Sequence, residues 1–121
     1  MRLSFLLVAL VAFAGPRGSV IQQAPIEARA LSNPYDGDPR ALRAGARLYA
    51  RECASCHGRN AGGMGKAPSL VSADVAGSTP GAVFWVLRNG SLNRGMPSFA
   101  HLPEARRWQI ISYLKTLRVQ R

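Results

Sequence analysis

Cysteine is scarce in this chain, which holds two, Cys53 and Cys56, and histidine is equally rare, with His57 and His101. A structural zinc centre takes four ligands, usually two cysteine pairs or one pair with two histidines. Here one tetrahedron would have to take Cys53, Cys56 and the directly adjacent His57, a strained set with no evident fourth donor. Runs of alternating apolar and polar residues are also missing. No strand is expected, and the βαβ setting of a thioredoxin-type dithiol is absent. The apolar run Leu3 to Ala14 has 12 residues, short of the roughly 20 needed to cross a bilayer as a helix. Acidic residues number six against sixteen lysines and arginines, for a net charge of +10. The basic residues are dispersed, with only Arg106 and Arg107 adjacent, unlike the clustered runs of a nucleic-acid-binding segment. No nucleic-acid partner is expected. The charge suits a well-solvated surface, or steering toward an acidic protein or an anionic membrane surface.

The first residues read as an export signal. Arg2 supplies positive charge, the short apolar run follows, and Ala12-Phe13-Ala14 gives an A-x-A site ahead of Gly15. A signal peptide over residues 1–14 is expected; a second A-x-A at Ala28-Arg29-Ala30 would move cleavage as late as residue 30. The product is expected in the periplasm or otherwise exported. Residues 15–37 carry Pro16, Pro25 and Pro34 without apolar periodicity, and read as a flexible N-terminal arm with a turn at Pro34-Tyr35-Asp36-Gly37. The folded domain is then expected over residues 38–121. A core of that size is marginal alone and needs a staple or a large apolar cofactor.

Three helices are expected, joined by two long glycine-rich loops. Asp38-Pro39 is an N-cap followed by proline at the first helical position. Leu42, Gly45, Ala46, Tyr49, Ala50 and Cys53 then recur at helical spacing. Gly45 on that face costs about 1 kcal/mol in helix propensity, which suggests that another backbone presses close there. Ser78-Thr79-Pro80 opens a second helix that Asn89-Gly90 closes. Pro103-Glu104 opens the last, with Trp108, Ile110, Ile111, Tyr113, Leu114 and Leu117 as its apolar positions. Loops as long as the two between these helices are uncommon in a small domain unless they surround something.

What the chain does have is Cys53-Ala54-Ser55-Cys56-His57. Zinc, a redox dithiol and covalently attached haem all use a C-x-x-C pair, and the histidine that follows directly is the signature of the third. Two thiols add across the two vinyl groups of the porphyrin, Ala54 and Ser55 span the edge between them, and His57 reaches the iron as an axial ligand. For the sixth position the candidates are Met96, Met64 and His101. Met64 lies only seven residues past His57, too near to cross to the opposite face. Met96 lies 39 residues on, between Gly95 and Pro97, and is the expected ligand, with His101 next. A thioether ligand favours Fe(II) and raises the potential, and a filled sixth position leaves no site for dioxygen or substrate.

In sequence order Gly45 and Tyr49, "CASCH", "APSL", "GMPSF" and "WQIISYLKTL" resemble the small class I c-type cytochromes over about residues 38–118. The resemblance implies an all-α class I cytochrome c fold, with three main helices and long loops around one haem c attached through Cys53 and Cys56. It implies that Gly45 and Tyr49 cross Ile110, Tyr113 and Leu114. It implies that the carbonyl of Pro68 accepts a hydrogen bond from the His57 imidazole. The expected site set is therefore Cys53, Cys56, His57, Pro68 and Met96. Trp85 and Arg88 are equally open to a propionate role or to ordinary core and surface roles. A looser similarity, in "FWVLRNG" and "GMPSF", is to the haem domains of periplasmic quinoprotein dehydrogenases.

The function implied is periplasmic electron transfer, one haem cycling between Fe(III) and Fe(II), by a protein that is not itself an enzyme. The alternatives are a dedicated haem subunit of a quinoprotein-type dehydrogenase, or a haem enzyme or gas sensor with an open sixth position. Partners would be a donor dehydrogenase, a terminal oxidase or another acceptor, with peripheral contact to a membrane surface.

Overall fold

The computed structural model describes residues 18–119; the candidate signal peptide at residues 1–14 lies outside the described residues. Among the described residues there are helices and turns and no strand. The α-helical segments are α1 (Ile26–Arg29), α2 (Pro39–Glu52), α3 (Ala54–His57), α4 (Ala73–Ala76), α5 (Pro80–Asn89) and α6 (Glu104–Val119), with 3-10 turns at Val20–Gln23 and Leu92–Arg94. The expected long helices are α2, α5 and α6. The single-turn segments α1 and α4 punctuate what sequence patterns read as arm and loop, and α3 carries the Cys56-His57 end of the C-x-x-C-H motif. No helix among the described residues is long and apolar enough to cross a membrane.

Capping sets where the main helices begin. The Asp38 carboxylate accepts the Arg40 backbone N–H at 2.8 Å, and Pro39 opens α2. The Thr79 hydroxyl accepts the Ala82 N–H at 3.2 Å, and Pro80 opens α5. Each cap satisfies one of the donors that a helix start leaves without an intrahelical partner.

The core is organised by the crossing of α2 on α6. A Cβ on Gly45 would collide with the Gln109 carbonyl and stand 3.0 Å from the Tyr113 Cβ, so the two backbones approach as only glycine allows. Tyr49 packs its ring against Tyr113 with centroids 5.5 Å apart. This crossing turns α2 away from the expected face. Ala41, Gly45, Leu48 and Tyr49 are buried, whereas Leu42 and Ala50 are exposed and Ala46 is half-buried. With Gly45 pointed at α6, a rotation of about 100° per residue carries Ala46 and Ala50 off the contact line. Phe84 of α5 stacks on Trp108 of α6 at 4.0 Å between ring centroids.

Residues 18–37 are not a loose arm. Ile21 and Ala24 are buried in the common core. α1 lies on α5, where a Cβ on Gly81 would collide with the Ala28 carbonyl. The Asn33 amide donates to the Ser112 hydroxyl at 2.9 Å and to the Trp108 carbonyl at 3.3 Å. Lys115 reaches Asp36 at 2.9 Å. The prolines set turns here, and the segment is held by polar links and only two buried apolar side chains, which leave no apolar period in the sequence.

Tyr49 also ties α2 to the loop beyond α3, its hydroxyl donating to the Gly58 carbonyl at 2.6 Å. Burial, helped by the neighbouring Cys53 and Tyr113, pushes its pKa up to about 12. An ordinary phenol titrates near 10. Through the window from about pH 10 to 12 the unfolded chain has lost this proton while the folded chain still holds it, so stability falls as pH rises. Tyr49→Phe is expected to lessen the drop in thermal midpoint between about pH 9 and 11 relative to the parent protein. An unchanged alkaline slope would show that this phenol is not coupled to folding.

Candidate cofactor-attachment site

α2 stops at Cys53, where the backbone leaves helical geometry at φ −121° and ψ −34°, and the helical sense resumes at once in α3. The Cys53 carbonyl accepts the N–H of Cys56 at 3.2 Å and of His57 at 3.0 Å. The turn therefore places residues i, i+3 and i+4, which are Cys53, Cys56 and His57, on one side of the chain. Cys53 is buried and Cys56 exposed, and neither is in a disulfide. Burial pushes the Cys53 thiol up to about 12, the Glu52 carboxylate adding to it, so as a free group it stays protonated. Gly58 ends the turn with φ +86°.

The loop after α3 folds back on the motif. Gly63 N–H donates to the His57 carbonyl and Leu70 N–H to the Ala61 carbonyl, both at 2.8 Å. Ala61 is fully buried at φ +59°, a left-handed conformation that is uncommon outside glycine. These links bring the Pro68 carbonyl to 2.9 Å from His57 Nδ1. A carbonyl can only accept, so Nδ1 carries the proton and the other ring nitrogen is left with its lone pair. Nε2 has no hydrogen-bond partner among the described residues. Met64 packs beside Gly58 and is 57% exposed.

Met96 sits at the close of a small hairpin after α5. Ser91 and Met96 exchange backbone hydrogen bonds at 2.9 and 3.0 Å, with Gly95 left-handed at the turn. Two further links sew the hairpin to α5: Phe99 N–H to the Leu87 carbonyl at 2.8 Å, and the Ser98 hydroxyl to the Arg88 carbonyl at 2.5 Å. Gly90 is required here, because its φ is +65° and a Cβ would come within 2.6 Å of the Pro97 backbone. The Met96 side chain is half-buried against the core cluster that contains Cys53. His101 is exposed, its ring 6.0 Å from that of Phe99. Trp85 is half-buried against the core and Arg88 is exposed, which assigns neither to a propionate.

Sequence reasoning missed Arg107. It resembles a surface arginine beside Arg106, yet it is buried, with its guanidinium 4.7 Å over the Phe84 ring and Nε and Nη1 without partners. Nothing in its neighbourhood along the chain signals this.

These residues fit a covalently held porphyrin better than the alternatives. Two unpaired thiols stand beside an imidazole whose free nitrogen is presented by a hydrogen bond on its far side. No three histidine, cysteine or acidic side chains among the described residues gather as a metal cluster. The family model for cytochrome c oxidase, cbb3-type, subunit III matches residues 40–114. The chain belongs to this family. It is a c-type cytochrome with an all-α fold, carrying haem c through Cys53 and Cys56, and its chemistry is electron transfer. A curated relative, the cbb3-type cytochrome c oxidase subunit CcoP of Rubrivivax gelatinosus, is 41% identical over 56 residues, which are 44% of this chain and 18% of that protein. The cytochrome thus matches under a fifth of that relative's length.

Proposed function

We propose that this cytochrome relays single electrons between protein partners outside the cytoplasm, with His57 and Met96 as the residues that would hold its iron. The observation that carries the reading is the His57 ring itself, protonated at Nδ1 toward Pro68 at 2.9 Å and unpartnered at Nε2. Haem c, when bound, supplies one-electron exchange between Fe(III) and Fe(II). The chain's own part is to orient and to exclude. The Pro68 carbonyl fixes the tautomer and the ring direction and makes the imidazole a stronger donor. The Ser91–Met96 hairpin fixes the backbone at Met96, which supports this side chain as the second ligand, and the other candidates Met64 and His101 are exposed. On this reading the sixth position is filled and the chain itself converts no substrate.

The relative's name, an oxidase subunit, supports a terminal oxidase complex as the acceptor side. A donor dehydrogenase rests on sequence resemblance alone. The periplasmic setting rests on the charged and apolar pattern of residues 1–14.

Met96→Ala in the haem-loaded protein tests the ligand assignment. The haem stays covalently bound, carbon monoxide binds rapidly to the reduced form, and the midpoint potential falls by on the order of 0.1 V or more, within the range that axial ligands span. A variant that keeps the parent potential and remains closed to carbon monoxide would remove Met96 from the iron.

A further inference from the structure

α2 carries Arg40, Arg43, Arg47 and Arg51 at steps of three, four and four residues. That spacing keeps all four on one side of the helix. It is the side away from Gly45 and α6, and all four side chains are exposed. At 1.5 Å per residue the row is about 16 Å long. Its two ends are answered within the chain: Arg40 pairs with Asp38 at 3.4 Å and Arg51 with Glu52 at 3.1 Å. Arg43 and Arg47, at the centre, have no ion pair among the described residues. Ala44 lies within the row and Ala50 at its edge, so no bulky side chain stands between the guanidinium groups.

Helix stability does not account for this row. Arg43 with Arg47, and Arg47 with Arg51, are like charges at i, i+4 and repel. Arg40 and Arg43 sit near the positive end of the helix dipole, and α2 has no acidic residue in its first turn. A membrane surface is a poor match as well. Interfacial helices insert an apolar face into the lipid, and the apolar face of α2 is spent against α6. α2 contains arginine and no lysine. The planar guanidinium suits paired hydrogen bonds to carboxylates and to phosphates alike. Carboxylates one helical turn apart on a facing ridge have the same repeat as the row.

We infer that the arginine row of α2 is a docking face for an acidic ridge on a partner protein, with Arg43 and Arg47 at its centre. The row ends two residues before Cys53, so a partner seated there lies beside the attachment motif. The choice of a protein as occupant rests on the relay reading above; the row itself does not.

The test uses the haem-loaded protein and a helical peptide with glutamate at every fourth position, titrated by calorimetry at low and physiological salt. Arg43→Gln with Arg47→Gln is compared with Lys66→Gln and Arg106→Gln, which removes the same charge from exposed positions elsewhere. The row variant is expected to bind about fivefold or more weakly and the control within about twofold of the parent, with the difference shrinking as salt rises. Equal weakening in both variants would reduce the effect to net charge and overturn the inference. So would absent peptide binding, or binding to vesicles of phosphatidylglycerol and phosphatidylcholine that depends as strongly on Arg43 and Arg47. The visible spectrum and potential stay at parent values in both variants, so a failed docking test leaves the electron-transfer reading standing.

Discussion

Cys53→Ser combined with Cys56→Ser is expected to yield a chain whose mass is that of its amino acids alone, without a cooperative unfolding transition. The two thiols are the covalent attachment of haem c to this cytochrome. Without them the porphyrin becomes a dissociable ligand, and its stabilising effect depends on concentration. The domain is small, and net stabilities of such domains are only about 5–15 kcal/mol. A porphyrin buried among the chain's apolar side chains contributes at about 25 cal/mol per Å² of apolar surface removed from water, an amount comparable with that whole margin. The Cys53 position adds a second cost, because a serine hydroxyl there would be buried without an assured partner. Mass spectrometry of protein produced with intact haem-attachment machinery, together with a urea melt followed by circular dichroism, measures both parts. A sharp, cooperative melt of the double variant would show that the polypeptide core suffices without its cofactor.

Gly45→Val is expected to be the most damaging single substitution away from the attachment motif, at about 3 kcal/mol or more of lost stability. Two effects oppose each other at this position. A side chain at Gly45 improves helix propensity by up to about 1 kcal/mol, most for alanine. Against that, the new Cβ meets the Gln109 carbonyl oxygen and carbon, which are backbone atoms inside α6 and cannot rotate aside. Relief requires α2 and α6 to separate, which opens the contacts of Leu48, Tyr49, Ile110 and Leu114. Sterics therefore wins, and Gly45→Ala should fall between valine and the parent. Chemical denaturation of the haem-loaded variants decides it. An alanine variant about 1 kcal/mol more stable than the parent would mean the close crossing is absent in solution.

The elements legible in the sequence were those with local chemistry at their ends. Asp38-Pro39, Thr79-Pro80 and Asn89-Gly90 mark boundaries because capping involves residues within four positions of one another. The attachment motif was legible for the same reason: its three functional side chains lie within one helical turn. α1, α3 and α4 carry no comparable signal, because a four-residue helix is too short to display a period. The face of α2 was read with Leu42 and Ala50 inside, although helical spacing itself was right. Its rotation answers to Gln109, more than sixty positions further along the chain.

What the sequence determined by itself is the class of chemistry and the helical character, since thiol, imidazole and cap spacing act over one turn of backbone. Tertiary structure alone decided the rest. It packed residues 18–37 onto α5 and α6 and buried Arg107 over the Phe84 ring. It also turned the arginine row of α2, which the spacing of those residues sets, outward from the core. Each of these depends on how helices distant in sequence cross, and the crossing is set by which backbones can touch, at Gly45 and Gly81, rather than by any local pattern of apolar residues.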